Sequence, residues 1–515
     1  MTRIDISSEI PFNNNLDFCV GTGRMGLALR KEYMDQLAFV QEHIAFSHIR
    51  GHGLFTDDMA IYQEREDFHD KGNIHIEYNF TYLDQVMDGY MNLGIRPFLE
   101  LGFMPDKMAS GDQHIFYWKG NVTPPKSYDA WCTLVKKTLE HLVSRYGRDE
   151  VVSWPIEVWN EPNLPGFWKD ADKEEYFKLF DYTFAAVKEV DPRFRVGGPA
   201  VCGGSDEEWI SAFMDHVEQK GLAIDFVTRH HYTTELPVPS GRYGYPPLSE
   251  PELGFANLKT TRDIIDSHDN YKGLPIHITE YNTSYIPNAP LHDTTRNAAY
   301  IAQQLSRLGE GNESYSYWTF GDVFEEFGAP FTPFHGGFGL VANGCIPKPT
   351  FWTFVFFKQI KGMRCIYKDD NSVIVADEEG GIHGICWNFC LHGKSLPKSV
   401  DFSFVLPEGR YCKILKTVDE NHANPLKIWH DLGEPSSLSD TQKELIKAGS
   451  TPGITTDVLN VGKEETQIKI ELSSESVIKF DICPAPLTSD RGYDYDRAVR
   501  GEEQQEEKQE DKKDA

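Results

Sequence analysis

The sequence lacks several features that would point to particular classes of protein. It has no run of 18 or more apolar residues, so it predicts no membrane-spanning helix. Its first 15 residues contain no apolar segment of the kind found in a secretory signal peptide. Basic residues are outnumbered, with 51 Lys and Arg against 79 Asp and Glu and a formal net charge of −28. That charge repels phosphate groups, which argues against nucleic acids and anionic membranes as partners, whereas a neutral substrate meets no such penalty.

Cysteines are few and scattered. The chain has nine, an odd number, with no CxxC motif, and the nearest pair is Cys386 and Cys390. This pattern predicts neither a disulfide framework nor a cysteine metal site and is typical of a reducing compartment. Since no export signal is visible either, we expect a cytoplasmic protein.

The length and the apolar content of the chain allow a large folded protein. Its 515 residues exceed one ordinary core and favour two or three domains, and 40% of them are hydrophobic. Ten Trp and 23 Tyr are typical of large cores and also of clefts in which aromatic faces contact a sugar.

Strand-like and helix-like segments alternate over the first 360 residues. The strand-like runs are LDFCVGTG (16–23), FSHIRGHGL (46–54), IRPFLELGF (95–103), IEVWNEPN (156–163), RVGGPAV (195–201), DFVTRHHYT (225–233), PIHITEYN (275–282) and YSYWTFGDVF (315–324). The predicted helices cover 31–44, 81–93, 127–146, 174–190, 206–220, 255–268, 294–309 and 349–360. Eight strand–helix units predict an α/β protein with a closed (β/α)8 TIM barrel, in preference to an open doubly wound sheet.

After about residue 362 the pattern changes to short alternating runs separated by Gly, Pro and Asn turns. This predicts an accessory antiparallel β-sandwich domain. We therefore divide the chain into residues 14–345 as the catalytic barrel, 1–13 and 346–486 as the β-sandwich region with a helix near 349–360, and 487–515 as a charged tail. The stretch 500–515 holds seven acidic and four basic residues, which is typical of a disordered or solvated segment.

Two glutamates at predicted strand ends are the candidate reacting groups, because a (β/α)8 barrel carries its chemistry at the C-terminal ends of its strands. Asn160 and Glu161 end the fourth predicted strand, where we expect Pro162 to stop the strand and stiffen the turn. Glu280 ends the seventh, in HITEYNTS. Glycoside cleavage needs two facing carboxylates: one protonates the leaving oxygen, and the other attacks the anomeric carbon or directs water to it. Their mutual repulsion helps to keep one of them protonated near neutral pH.

Each carboxylate also has a simpler interpretation. A lone glutamate at a strand end more often caps a helix or forms a salt bridge, and the pair at the fourth and seventh strands is what favours catalysis. Glu157 lies four residues before Glu161, about 13 Å deeper along a strand, and is interpreted as an ion partner inside the barrel. Glu100, in the third strand, either lines the pocket or serves the structure.

Other polar and aromatic residues follow the remaining strands. They are His52 after the second, His230, His231 and Tyr232 at the sixth, and Trp318, Asp322, Glu325 and Glu326 after the eighth. His52 and His230 are suited to hydrogen bonding with sugar hydroxyls, although each could have a purely structural role. Trp318 is suited to form an apolar floor for a sugar ring and could also belong to the core.

Five longer segments resemble glycoside hydrolase family 39, specifically its bacterial β-xylosidases. They are RGHGLFTDD (50–58), VWNEPNLPGFW (158–168), DFVTRHHYTT (225–234), HITEYNTSY (277–285) and YSYWTFGDVFEEFGAPFTPFHGGFGL (315–340). The resemblance runs through the whole barrel and into PKPTFW (347–352). The family is one of the retaining glycosidase barrels, in which the acid/base and the nucleophile follow strands four and seven.

The resemblance implies a role for each candidate residue. It makes Glu161 the acid/base, Glu280 the nucleophile and Asn160 the ligand of the sugar 2-hydroxyl. Around the terminal sugar it puts His52, His230, Tyr232, Trp318 and Glu326, with His231 and Glu325 as the alternatives for Tyr232 and Glu326. It further implies a β-sandwich beside the barrel and a homo-tetramer. No metal and no organic cofactor is expected, since two carboxylates suffice.

The expected activity is that of a retaining, exo-acting β-xylosidase. It would release xylose from the non-reducing end of short β-1,4-xylo-oligosaccharides by double displacement. The alternatives are β-glucosidase, β-galactosidase or α-L-iduronidase-like activity, and a non-catalytic carbohydrate-binding barrel, which could lose either glutamate. An iduronidase would need basic residues for its anionic sugar, and the bases near the strand ends in these segments, Arg50 and Arg229, lie inside strand runs.

Overall fold

A computed structural model of the protein describes residues 2–488 and 492–500. The stretch 501–515, which is most of the predicted disordered segment, lies outside the described residues. Within the predicted tail from residue 487, a short helix spans Tyr495–Arg500. In the described part of the chain, no helix is long and apolar enough to cross a membrane.

Eight parallel strands close into a barrel in the order in which they occur along the chain. They are β1 Cys19–Thr22, β2 His48–Gly51, β3 Arg96–Leu101, β4 Ile156–Val158, β5 Val196–Val201, β6 Phe226–Tyr232, β7 Ile276–Asn282 and β8 Ser314–Tyr317. The principal helices are α1 Lys31–His43, α2 Thr81–Asn92, α3 Tyr128–Tyr146, α4 Lys173–Val190, α5 Ser211–Lys220, α6 Pro251–Ser267, α7 Thr295–Leu305 and α8 Pro349–Gln359. The predicted (β/α)8 barrel is therefore confirmed.

Local sequence signals set the start of several barrel helices. Ser127, Asp172 and Thr294 each accept a hydrogen bond from the backbone N–H three residues ahead, which satisfies a donor that the first helical turn leaves without a partner. Barrel strands such as β5 and β7 are buried along their whole length, as expected when helices cover a parallel sheet. The predicted strand boundaries were longer than the observed ones because apolar flanking residues continue the pattern beyond the hydrogen-bonded ladder.

The C-terminal region contains two antiparallel sheets. Six strands form one sheet in the order Arg364–Asp369, Ser372–Ala376, Ile382–Asn388, Ser476–Pro484, Gly409–Val418 and Gly453–Val461. The smaller sheet consists of Lys398–Phe404, Thr466–Leu472 and the N-terminal strand Thr2–Arg3. Side chains from the two sheets share one apolar core, in which the rings of Phe402 and Phe480 lie 6.2 Å apart. The predicted β-sandwich is confirmed, and α7 of the barrel packs against its larger sheet.

Short hairpins and helices extend from the barrel and from the C-terminal region. Two-stranded hairpins are Tyr62–Glu66 with Ile74–Tyr78, His114–Ile115 with Gly120–Asn121, Val238–Ser240 with Tyr243–Tyr245, and Val341–Ala342 with Ile346–Pro347. Further short helices are Arg148–Val151, Pro425–Asp431 and Asp440–Ala448. Several of these elements lie in the loops that follow barrel strands, and these loops build the walls of the site described next.

Candidate active site

A cavity of about 460 Å³ opens at the C-terminal ends of the barrel strands. Its lining includes the predicted site residues His52, Asn160, Glu161, Tyr232, Glu280, Trp318 and Glu326. His230 is fully buried and does not line the cavity, but it contacts Glu161 and Glu280 directly. The structure thus brings together every residue that the sequence proposed for the site, although these residues come from five different strand ends.

The turn that carries Asn160 and Glu161 begins earlier than the sequence suggested. Strand β4 ends at Val158. Trp159 and Glu161 have φ values of +71° and +43°, a region of backbone conformation that residues other than glycine rarely occupy. The prediction that Pro162 ends the strand is wrong, because the backbone has already turned at Trp159. The Glu161 N–H donates to Ala200 O at 3.0 Å on the neighbouring β5, and this bond fixes the turn.

Glu161 and Glu280 face each other at close range. One carboxylate oxygen of each, together with one ring nitrogen of His230, lies within 4.8 Å of the others. Carboxyl groups about 5–5.5 Å apart are typical of glycosidases that form a covalent intermediate, whereas inverting enzymes need about 6.5–9.5 Å to admit a water molecule. The observed separation therefore suits direct attack by one carboxylate and proton transfer by the other.

Burial controls the protonation of Glu161. The loss of water around its carboxyl raises the pKa to about 7, and the nearby positive charge of Arg50 opposes this shift only in part. His230 Nδ1 lies 2.8 Å from Glu161 Oε1, and burial lowers the pKa of this histidine to about 3, so the imidazole is neutral. Glu161 can therefore hold a proton at neutral pH and give it up during a reaction.

Glu280 has two hydrogen-bond donors for its negative charge. Arg50 donates from Nη1 to Oε1 at 2.6 Å, and Tyr232 donates its hydroxyl to Oε2 at 2.8 Å. Hydrogen bonds from a guanidinium to a carboxylate are among the stronger ones in proteins. The two glutamates thus have different environments: Glu280 accepts hydrogen bonds from a cation and a hydroxyl, and Glu161 is suited to carry a proton.

Arg50 is the central residue that the sequence analysis missed. Its guanidinium is fully buried and also contacts Glu157 at 2.7 Å, Glu100 at 2.9 Å and the Asn160 side-chain oxygen at 2.8 Å. Burial disfavours its charged form, but the surrounding carboxylates outweigh that effect and raise its pKa. A charged residue within an apolar strand run was the available signal, because a buried charge needs a partner.

Glu157 and Glu100 support the site from below. The salt bridge of Glu157 with Arg50 confirms its interpretation as an ion partner inside the barrel. Glu100 is also fully buried, forms an ion pair with Arg50 at 2.9 Å and a hydrogen bond with His52 at 2.7 Å, and is not among the residues that line the cavity. Of its two interpretations, the structural one is therefore favoured.

His52 and Trp318 form a wall of the cavity. Because His52 Nδ1 faces Glu100, its Nε2 is left on the cavity side, 3.5 Å from Glu280 Oε1. The Trp318 ring packs 4.8 Å from the His52 ring, centroid to centroid. Gly21 of β1 permits this packing, since a Cβ atom there would lie 2.5 Å from Trp318 Cε3.

The structure distinguishes between the neighbouring residues that the sequence left open. Tyr232 and Glu326 line the cavity, whereas the His231 ring contacts Gln304 outside it, and Glu325 pairs with two arginines. Burial raises the pKa of Glu326 well above its ordinary value, and the proximity of the two facing glutamates adds to the shift. Glu326 therefore lines the cavity as a carboxyl whose protonated form, which can donate a hydrogen bond, is favoured relative to that of an exposed glutamate.

Glu161, His230 and Glu280 have the spacing of a possible metal site. Two features of the site oppose this interpretation. Arg50 and Tyr232 already donate to the two oxygens of Glu280, and the guanidinium charge would repel a cation beside them. The donor set is therefore better suited to proton transfer and nucleophilic attack than to metal binding.

Comparison with known proteins gives one consistent family. A family model described as "Glycosyl hydrolases family 39" matches residues 3–463. A β-xylosidase of Geobacillus stearothermophilus is 46% identical over 477 residues, which cover 92% of this chain and 93% of that protein. A β-xylosidase of Caldicellulosiruptor saccharolyticus is 35% identical over 84% of this chain and 87% of its own length.

Solved structures agree with this similarity. A GH39 enzyme from Xanthomonas axonopodis pv. citri aligns with a TM-score of 0.84 at 29% identity, covering 94% of this chain and 97% of that one. A monomeric β-xylosidase from Caulobacter crescentus CB15 aligns with a TM-score of 0.83 at 31% identity, covering 94% and 99% of the two chains.

Proposed function

The chain belongs to glycoside hydrolase family 39, and from this membership we propose that it is a retaining, exo-acting β-xylosidase. Its substrates in this proposal are short β-1,4-xylo-oligosaccharides, from which it removes single xylose units at the non-reducing end. The observation that carries the mechanism is the close approach of Glu161 and Glu280 in different electrostatic environments.

In the proposed mechanism, Glu280 attacks the anomeric carbon while Glu161 gives its proton to the glycosidic oxygen. The carbon–oxygen bond to the leaving group breaks, and a covalent glycosyl-enzyme forms. Glu161, now a carboxylate, then takes a proton from a water molecule that attacks the same carbon and releases Glu280. The neutral His230 supports this cycle because it can exchange hydrogen bonds with Glu161 without adding a charge.

The lack of basic side chains in the cavity lining favours a neutral sugar as substrate. Among the described residues that line the cavity, none is Lys or Arg. Arg50 lies beneath it and is engaged by Glu157, Glu100, Glu280 and Asn160, so its charge is already balanced. An anionic sugar such as iduronate would find no free cation among these groups, which favours xylose over the iduronidase alternative.

The segment after β8 supports exo action. Phe324 and Phe338 from this segment pack with Trp318 into one apolar cluster, and Glu326 beside them reaches the cavity. In this proposal the segment walls one end of the cleft, which leaves room for one sugar beyond the scissile bond. With xylotetraose, we expect xylose and xylotriose as the first products. Early xylobiose without xylose, or faster attack on polymeric xylan than on xylobiose, would rule out exo action.

Sugar specificity is tested by the hydrolysis of four aryl glycosides with the same leaving group: the β-xyloside, the β-glucoside, the β-galactoside and the α-L-arabinoside. The proposal expects the highest kcat/KM for the xyloside, because the 5-hydroxymethyl group of a hexose must fit against the pocket wall. A higher kcat/KM for the glucoside or the galactoside would replace the proposed specificity with the corresponding alternative.

We also propose that the protein works in the cytoplasm. All nine cysteines are free, which is expected in a reducing compartment. Fractionation of the source cells tests this: recovery of the protein in the culture medium would contradict it.

The division of the chain into residues 14–345, 1–13 with 346–486, and 487–515 is part of the same proposal. It expects the charged tail to be dispensable for catalysis. A chain that ends at residue 486 should keep the kcat/KM of the full chain, and light scattering of both forms tests whether the tail takes part in the tetramer that the family resemblance implied. A large loss of activity on truncation would show that the tail belongs to the functional enzyme.

A further inference from the structure

Three loops beside the catalytic cavity meet at Arg24. Strands β8, β1 and β2 are neighbours in the barrel, so the segments that follow them lie side by side at its C-terminal end. Arg24 comes just after β1, before a short helix that spans Met25–Leu29. Its side chain is only 12% exposed, and its guanidinium forms ion pairs with Asp58 of the loop after β2 and with Glu325 of the segment after β8.

One of these ion pairs leads to Glu326. Arg24 Nη2 donates to Glu325 Oε2 at 2.8 Å, and the Glu325 side chain is only 7% exposed, so solvent screens the pair little. The next residue, Glu326, lines the cavity. Gly23 lets the two segments approach closely, since a Cβ atom there would lie 3.0 Å from Phe324 Cδ2. The ion pair therefore fixes the chain directly beside a side chain of the cavity.

The other ion pair leads to the loop that carries His52. Arg24 Nη1 donates to Asp58 Oδ2 at 2.5 Å. Gly26 leaves room for this contact, since a Cβ atom there would lie 2.3 Å from the same carboxylate oxygen. Beside Arg24, Met25 N–H donates to His52 O at 2.9 Å. The loop after β2 is thus held to the loop after β1 at two points, one of which is a residue of the cavity.

A guanidinium is suited to this position between two loops. Its planar fork offers separate N–H groups to two carboxylates at once, whereas the ammonium group of lysine is a compact point charge. Arg30 also pairs with Glu325, but its side chain is 50% exposed, and within the described part of the chain its ion pairs include no residue of the loop after β2. Arg24 is therefore the residue through which Glu325 is linked to that loop.

From these contacts we propose that Arg24 is a positioning residue for the terminal sugar: it holds the loop that carries His52 and the segment that carries Glu326 in the arrangement that binds the substrate. The inference rests on the proposed function only in taking the catalytic cavity as the place where the sugar binds. Arg24 does not line the cavity, so it acts through these two residues. Without it the loops occupy the binding arrangement for part of the time, and the apparent affinity falls by that fraction.

Arg24→Met tests the proposal by separating affinity from turnover. The variant leaves Glu325 paired with Arg30, so this buried carboxylate keeps a cation. With an aryl β-xyloside, KM should rise roughly 10-fold if the binding arrangement is populated about one tenth of the time, while kcat stays within about 3-fold. The reason is that bound substrate selects the competent arrangement, and Glu161 and Glu280 are held by other contacts.

Competitive inhibition by free xylose measures the same binding without a bond being broken. Its inhibition constant should rise by the same factor as KM. A change that merely lowered the folded fraction of the protein would reduce kcat and leave both constants as they are. Unchanged values of KM and of the inhibition constant in Arg24→Met, or a fall in kcat alone, would overturn the proposal.

Arg30→Met is the matched control. It removes the other cation that pairs with Glu325 but leaves the link between the loops in place, so KM should stay within about 2-fold of that of the unsubstituted protein. An equal rise of KM in the two methionine variants would assign the effect to the charge around Glu325 and not to the link, and the proposal would fail.

Asp58→Ala breaks the link from its other side and decides the question even if Arg24→Met does not fold. Asp58 is 39% exposed, so the change creates no buried cavity, and KM should rise several-fold. In the double variant Arg24→Met, Asp58→Ala, KM should be no higher than in Arg24→Met alone, because both changes remove one contact. An unchanged KM in Asp58→Ala, or effects that multiply in the double variant, would contradict the proposal.

The failure of the proposed sugar specificity would be distinguishable from the failure of this inference. If a glucoside or a galactoside is the best of the aryl glycosides, the xylose proposal is contradicted, and the same ratios of KM are measured with that glycoside and its free sugar. If none is hydrolysed, the proposed activity fails, and titration calorimetry with xylose still shows whether Arg24→Met weakens sugar binding. Equal affinity of the two proteins for the sugar would overturn the role of Arg24.

Discussion

One carboxylate oxygen of Glu161 lies within 4.8 Å of one of Glu280, although the first residue follows the fourth barrel strand and the second belongs to the seventh. The two carboxyls differ in their partners. Glu280 accepts from Arg50 and Tyr232, whereas Glu161 is buried beside the neutral His230. Two like groups at this distance therefore have different surroundings, and the predictions below depend on that difference.

Removal of the Glu280 carboxylate should abolish hydrolysis. In Glu280→Ala no group remains to attack the anomeric carbon, so we expect kcat to fall by several orders of magnitude. Added azide, which is small enough to enter the vacated space, should restore turnover and yield an α-glycosyl azide. The product is identified by NMR, and formation of a β-glycosyl azide by this variant would contradict the assignment of Glu280 as nucleophile.

Removal of the Glu161 carboxyl should have a different effect. In Glu161→Ala the glycosyl-enzyme should still form from a dinitrophenyl glycoside, because dinitrophenolate leaves without a proton, while substrates with poor leaving groups should react far more slowly. Azide should attack the intermediate and give a β-glycosyl azide. If the two alanine variants exchanged their azide products, the roles of Glu161 and Glu280 would be reversed.

The pH dependence of the enzyme should reflect the raised pKa of Glu161. Since burial brings this pKa to about 7, the carboxyl is protonated below that pH and loses its proton above it. For an unactivated glycoside, kcat/KM should therefore decline as the pH rises through about 7. In Glu161→Gln, assayed with a dinitrophenyl glycoside, this alkaline limb should be absent. Persistence of the same limb in the variant would assign it to another group.

The anomeric configuration should be retained. The short separation of the two carboxyls leaves no room for a water molecule between nucleophile and sugar, so two successive inversions are expected. Proton NMR during early hydrolysis of an aryl β-xyloside should show the β anomer of xylose before mutarotation produces the α anomer. An initial α product would exclude the double displacement.

Arg50 should matter for stability as well as for activity. Arg50→Met leaves Glu157, Glu100 and Glu280 as buried carboxylates without their cation, so the free energy of unfolding should fall by about 3–5 kcal/mol. Urea denaturation followed by fluorescence measures this change.

Arg145→Met is the matched control for that experiment. Arg145 is exposed and pairs with Asp84 and Asp88 on the surface, so its removal should leave the free energy of unfolding nearly unchanged. A similar loss in the two variants would show that the buried network contributes no more than an ordinary surface pair.

The order of strands and helices could be predicted from sequence because it depends on local periodicity. Eight strand-like runs, each followed by a helical pattern, are compatible with few architectures other than a (β/α)8 barrel. Once the barrel was inferred, the rule that its chemistry lies at strand ends pointed to Glu161 and Glu280. Their proximity could thus be anticipated from topology alone.

Tertiary structure was needed wherever the question was which side chains meet. Side chains alternate between the two faces of a strand, so His230 and Tyr232 share one face and His231 the other, but the periodicity does not say which face is inward. The same limit hid Arg50, because its partners Glu100, Glu157 and Glu280 come from three other strands. Only the closed barrel, which brings these strands around one axis, decides that its charge lies beneath the two facing glutamates.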